Sequence, residues 1–99
     1  MEPGIPDISI SDVVLSTAGR DQGQLFYCVG TDDQFVLLAD GKGRTLDKPK
    51  RKKRKHVQKV LRAETRVANK LRAGDKVLNS ELRRDLAYFR QRLQVNPGG

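Results

Sequence analysis

Apolar residues crowd into residues 11–40, SDVVLSTAGRDQGQLFYCVGTDDQFVLLAD, as three short runs separated by two polar turns. The first run, residues 12–17, holds Val13, Val14 and Leu15 and predicts a strand. In the second, residues 24–29, two-residue alternation puts Leu25, Tyr27 and Val29 on one face, and Phe26 and Cys28 on the other. Both faces are apolar, as expected of a strand that curls in a small barrel and is covered on both sides. The third run, residues 34–39, holds Phe35, Val36, Leu37 and Leu38. Gly19 and Gly23 bracket the first turn, AGRDQG, where glycine supplies positive φ or lets a backbone pass close by. Gly30-Thr31-Asp32-Asp33 predicts a hairpin connection.

Beyond residue 40 the pattern changes. Asp40-Gly41 opens another turn, and residues 44–46 predict a short fourth strand that Pro49 ends or forces to an edge. Residues 56–58 predict a short fifth strand, because a barrel needs a closing strand to remove its open edge. Val57 and Val60 also sit at helical spacing, so a helix competes there. Residues 64–72 carry Val67, Ala68 and Leu71 on one face, enough for a short helix before Gly74. Leu82, Leu86, Phe89 and Leu93 then form a single apolar stripe, predicting a helix over residues 81–93. Asn79 or Ser80 is its expected cap, with Glu81 in the first turn. A helix this short needs a surface to pack on: the barrel, the preceding helix or a partner.

The expected architecture is mostly β: a small barrel of about five strands, a basic arm and a C-terminal helical tail. Residues 1–10, with Pro3, Gly4 and Pro6, are a loose lead-in. Residues 11–60 are the barrel, including the basic segment 48–56. Residues 61–99 are the tail, ended by Pro97-Gly98-Gly99.

Charge changes the picture most. The chain carries +8 over 99 residues, divided unevenly. Residues 1–47 set Arg20, Lys42 and Arg44 against eight acids, a net of −5. Residues 48–99 set seventeen Lys and Arg against Glu64, Asp75, Glu81 and Asp85, a net of +13. Such asymmetry points to a face for nucleic acid or an anionic membrane ahead of an acidic protein. No stretch approaches a membrane span, and MEPGIPDISI lacks the basic start and apolar run of a signal peptide. The single cysteine, Cys28, at an apolar strand position, reads as a buried reduced thiol, which suits the cytoplasm. No metal or cofactor set is present in the sequence. An enzyme is not expected from the same inventory: His56 is the sole histidine, and there is no convincing carboxylate pair or phosphate-cradling loop.

Val13-Val14 followed by AGRDQGQLFYCVG, with its glycine at Gly23, resembles the KOW motif. The segment FVLLADGKGRTLDKPKRKKRKHVQ resembles small bacterial KOW-domain proteins related to the eukaryotic ribosomal proteins L14e, L6e and L27e. The matching positions are Ala39, Asp40, Gly41, Leu46, Lys48, Pro49, Lys50, Lys52, Lys53, Lys55 and His56. The resemblance covers about residues 11–60. It implies an SH3-like barrel that binds RNA, ribosomal RNA above all, without catalysis. The tail of around 35 residues and the proline-containing N-terminus depart from the pattern and leave open a protein contact.

The strongest candidate site is the run Lys48, Lys50, Arg51, Lys52, Lys53, Arg54 and Lys55. Six consecutive charges repel one another unless they reach solvent or phosphate, so the run reads as polyanion contact and as an arm without order when unbound. Arginine forks onto phosphate or stacks on a base where lysine is a point charge, which favours Arg51 and Arg54 for shape-specific contacts. Arg20 sits in the glycine-bracketed turn, where RNA contact and ordinary turn polarity stay equally open; Asp21 beside it weakens the binding reading. His56 is an RNA contact or a strand-edge residue, and Lys59 widens the electrostatic footprint. Gly19 and Gly23 are turn residues, and Leu82, Leu86, Phe89 and Leu93 a packing face in cis or for a partner. Phe26 and Tyr27 fit core service better than base stacking, while Tyr88 flanks the apolar stripe as a possible exposed ring.

The leading expectation is an RNA-binding accessory or ribosome-associated protein, cytoplasmic and monomeric when unbound, with possible ribosomal protein contacts. A transcription-associated or protein-interaction KOW module is the first alternative, marked by an open apolar groove on the barrel. A non-specific nucleic-acid binder is the second.

Overall fold

Five strands form one antiparallel sheet in the computed structural model, which describes residues 7–93. They are β1 (Asp12–Ser16), β2 (Leu25–Thr31), β3 (Phe35–Ala39), β4 (Lys50–Lys53) and β5 (Val57–Arg62), in the order β4-β3-β2-β1-β5. A single 3-10 turn, Arg54–His56, joins β4 to β5 at the two ends of that order. Two helices follow, α1 (Arg66–Ala73) and α2 (Asn79–Leu93). No helix among the described residues is long and apolar enough to cross a membrane.

The sheet is buried on both faces because its central strands are apolar on both. One core joins Val13, Leu25, Tyr27 and Ala39 to Val67 and Ala68 of α1 and Leu82, Leu86 and Phe89 of α2. The other joins Ile8, Val14, Phe26, Cys28, Val36, Leu38 and Val57. Two irregularities adjust the alternation. In the β1–β5 ladder, Val13 faces Leu61 but Val14 faces Lys59, so Val60 is an extra residue and both Val60 and Leu61 pack against the helix-side core. A similar slip between Cys28 and Gly30 leaves Val29 on that side too.

The fourth strand is not residues 44–46, and the basic run is not an arm outside the sheet. Asp40 Oδ1 accepts from the Lys42 and Arg44 amides, both at 2.9 Å, and folds this segment into a loop. The Leu46 amide donates to Asn79 Oδ1 at 2.8 Å. These backbone groups are engaged elsewhere, and β3 pairs instead with Lys50–Lys53, from Phe35↔Lys53 to Leu38↔Lys50. The fifth strand begins at Val57 and runs on to Arg62, beyond the expected residues 56–58, and the helical spacing of Val57 and Val60 has no helix behind it.

Thr65 caps α1 by accepting from the Ala68 amide, and Gly74 closes it with φ of 75°. Asn79 does not cap α2, because its side chain holds Leu46; Glu81 instead accepts from the Leu78 amide at 3.0 Å, half of a capping box. The tail packs in cis: Leu82 and Leu86 are fully buried against the sheet, whereas Leu93 is 39% exposed and contributes little. Of the lead-in, Ile8 is buried and Ile10 exposed; residues 1–6, and Pro97-Gly98-Gly99 at the other end, lie outside the described residues.

Candidate nucleic-acid interface

Pairing β4 into the sheet sorts its four basic residues by parity. Lys50 and Lys52 lie opposite Leu38 and Val36, on the face of the second core. Arg51 and Lys53 lie opposite Leu37 and Phe35, on the other face, and both are exposed.

The inward pair closes on one acid. Lys52 Nζ donates to Asp21 Oδ1 at 2.5 Å and to the Ala18 carbonyl at 2.7 Å, and Lys52 is only 7% exposed. Ser16 Oγ donates to the same carboxylate oxygen at 2.7 Å, and Lys50 Nζ stands 3.0 Å from Oδ2 as an ion pair outside hydrogen-bond geometry. Burial alone would raise the Asp21 carboxyl; the hydrogen bonds from Lys52 and Ser16, with the Lys50 ammonium beside it, outweigh it and hold the group well below the usual carboxylate range. Lys52, expected among the exposed cations of the run, is instead buried with its ammonium paired to Asp21 inside the fold. The same contacts tie β4 to the β1–β2 turn, where Gly19 and Gly23 have φ of 87° and 91°.

The outward pair remains available to solvent. Arg51 is 62% exposed, with its guanidinium stacked 3.6 Å from the Phe35 ring centroid and 4.0 Å from Asp32 Oδ2. Stacking restricts the side chain, and a guanidinium held by its face keeps its N–H groups for hydrogen bonding. Lys53, with Arg54, Lys55 and Gln34, lines a depression of about 150 Å³ where the β2–β3 hairpin meets the 3-10 turn. Arg54 has structural duties there, donating from Nε to the Asp32 carbonyl at 3.0 Å and from Nη1 to the Ile8 carbonyl at 3.1 Å. Lys55 and Lys48 are exposed, and His56 is half-buried with its carbonyl accepting from the Thr17 amide at 2.9 Å.

The remaining candidates are dispersed. Arg20 is exposed in the β1–β2 turn. Lys59, exposed on β5, forms an ion pair at 3.3 Å with the buried Asp12. Phe26 and Tyr27 are in the two cores and present no ring to a ligand. Burial pushes the Cys28 thiol up to about 11, and no group of three or more potential metal ligands exists among the described residues.

Asp21 is the residue the sequence conceals. Its role comes from ion pairs with lysines some thirty positions away, and no local spacing announces them. Neither a scan against protein-family models nor a search of curated proteins finds a match to this chain.

Proposed function

We propose that the protein binds structured RNA, ribosomal RNA first among the candidates, on the outward side of β4 and the turn that follows it. One observation carries the reading. Where Lys50 and Lys52 are both engaged by Asp21, Arg51, Lys53 and Lys55 stay exposed beside a depression lined by basic side chains. β4 holds Arg51 and Lys53 on one side and the 3-10 turn holds Lys55 next to them, so the affinity comes with less ordering cost than a disordered arm would carry. Contacts to phosphate from such a row position the RNA, and the stacked Arg51 adds a planar group suited to base or phosphate geometry.

The five-stranded antiparallel order, with both sheet faces buried, is compatible with the SH3-like KOW barrel that the sequence resembles. A ribosome-associated accessory role, in the cytoplasm and as a monomer when unbound, follows from that resemblance. The protein-interaction alternative asks for an open apolar groove. Leu82, Leu86 and Phe89 cover the apolar side of the sheet in cis, which favours RNA over a protein partner.

The test compares the protein with an Arg51→Gln, Lys53→Gln, Lys55→Gln variant on ribosomal RNA fragments, an unrelated structured RNA and duplex DNA at about 0.15 M salt. Selective RNA binding that the variant loses supports the proposal. Equal binding to all polymers reduces the surface to a generic anion site, and no binding to any overturns it.

A further inference from the structure

The outer side of α2 carries chemistry that its packing role does not use. Arg84, Tyr88 and Arg92 are spaced four residues apart and form a row about 6 Å per step along the helix, away from the buried Leu82, Leu86 and Phe89. Tyr88 is 50% exposed. Its orientation is set by an edge contact with Phe89, centroids 5.4 Å apart, and the Arg92 guanidinium lies 5.5 Å from its centroid. Arg84 has no hydrogen-bond or ion-pair partner among the described residues.

The acids that would neutralise this row are turned away from it. Glu81 binds Lys70 at 3.0 Å and the Leu78 amide, and Asp85 accepts from Tyr27 and Thr65. The row is therefore positive without compensation, with an aromatic at its centre. Parity also places Arg51 and Lys53 on the same side of the sheet as Ala39, the side on which α2 docks.

We propose that Arg84, Tyr88 and Arg92 form a second RNA contact that takes an unpaired strand, a base stacking on Tyr88 and the flanking phosphates meeting the two arginines. Stacking on an exposed ring tolerates any base, and the arginines add charge on either side. This rests on the RNA-binding reading above but on different residues, so the two can fail separately. β4 holds the structured part of the RNA, and α2 holds a single strand leaving it.

The experiment measures binding to an RNA hairpin with and without a single-stranded extension of about ten nucleotides. The proteins are the native chain, Tyr88→Ala, Tyr88→Phe, the pair Arg84→Gln/Arg92→Gln, and Arg51→Gln/Lys53→Gln, each shown to be folded by its thermal melt. The native chain is expected to prefer the extended hairpin. Tyr88→Ala should weaken that complex about fivefold or more and leave the blunt hairpin unchanged, while Tyr88→Phe retains the preference. The arginine pair should lower the slope of log affinity against log salt by about 1.4 on the extended RNA alone. Native-like binding of both RNAs by the α2 variants, with loss in the β4 variant, overturns this inference and leaves the RNA reading standing. An α2 face serving an acidic protein would give that same result. Failure of the native chain to bind either RNA overturns both.

Discussion

Tyr27 Oη donates to Asp85 Oδ2 at 2.6 Å, and Thr65 Oγ1 donates to the same oxygen at 2.6 Å. Thr65 also accepts from the Ala68 amide as the cap of α1. One carboxylate thus joins the central strand, the start of α1 and the middle of α2. This joint, with the apolar contacts around it, fixes the tail on the sheet. Tyr27→Phe should cost about 1.5–3 kcal/mol in urea unfolding, the range for a hydrogen bond to a charged group. An unchanged midpoint would mean that packing alone holds α2.

Substitutions along β4 should divide by parity. Lys52→Met leaves Asp21 with Lys50 as its only cation and should cost about 2 kcal/mol. Arg51→Gln and Lys53→Gln, on the exposed side, should fall within about 0.5 kcal/mol of the native chain. Denaturation of the three variants side by side checks this; equal costs would place Lys52 outside the fold's interior.

The acid limb of stability should depend on Asp21. Its folded carboxyl titrates below the unfolded one, so in acid the unfolded chain binds the extra proton and stability rises with pH there. The contribution is fully present above the unfolded value, about 3.9, and fades as pH falls below it. Asp21→Asn should flatten the limb between about pH 4 and pH 2 in a series of denaturation curves. A parallel limb in the variant would remove Asp21 as its source.

The alkaline limb has a different source. Burial raises the Cys28 thiol to about 11, and burial with the Asp85 hydrogen bond raises the Tyr27 phenol. Each group is ionised more easily in the unfolded chain, so stability falls above about pH 8.5 for the thiol and above about pH 10 for the phenol. Cys28→Ser should delay the first decline. Thiol reagents should modify native Cys28 only at the rate of opening, and fast modification at neutral pH would show the site to be accessible.

Gly41 lies where the β3–β4 loop meets α2. It has φ of 79°, a Cβ there would run into the Asn79 carbonyl, and Arg83 Nη1 donates to the Gly41 carbonyl at 2.6 Å. Gly41→Ala should cost about 1–3 kcal/mol, from the strained φ and the collision together. A smaller cost would mean that the loop and helix separate easily.

Much of the fold is written locally. Val13, Phe26 and Val36 lie in runs dense enough to specify β1, β2 and β3, and the stripe of Leu82, Leu86 and Phe89 specifies α2 before any contact is known. The apolar character of both sides of β2 signals a strand covered on both faces, as the two cores show. The charge imbalance and the density of lysine and arginine over residues 48–55 are also properties of the chain alone.

Tertiary structure decided what that charge does. Six basic residues in a row look alike from their neighbours, because electrostatic repulsion is blind to which side a side chain will face. Only the register against β3 turns Lys50 and Lys52 toward Asp21 and leaves Arg51 and Lys53 outside. The joint of Tyr27 to Asp85, across 58 positions, is equally silent in sequence. Local propensity and periodicity determine which elements form; the pairing of distant polar groups, which depends on how those elements meet, determines which charges remain on the surface.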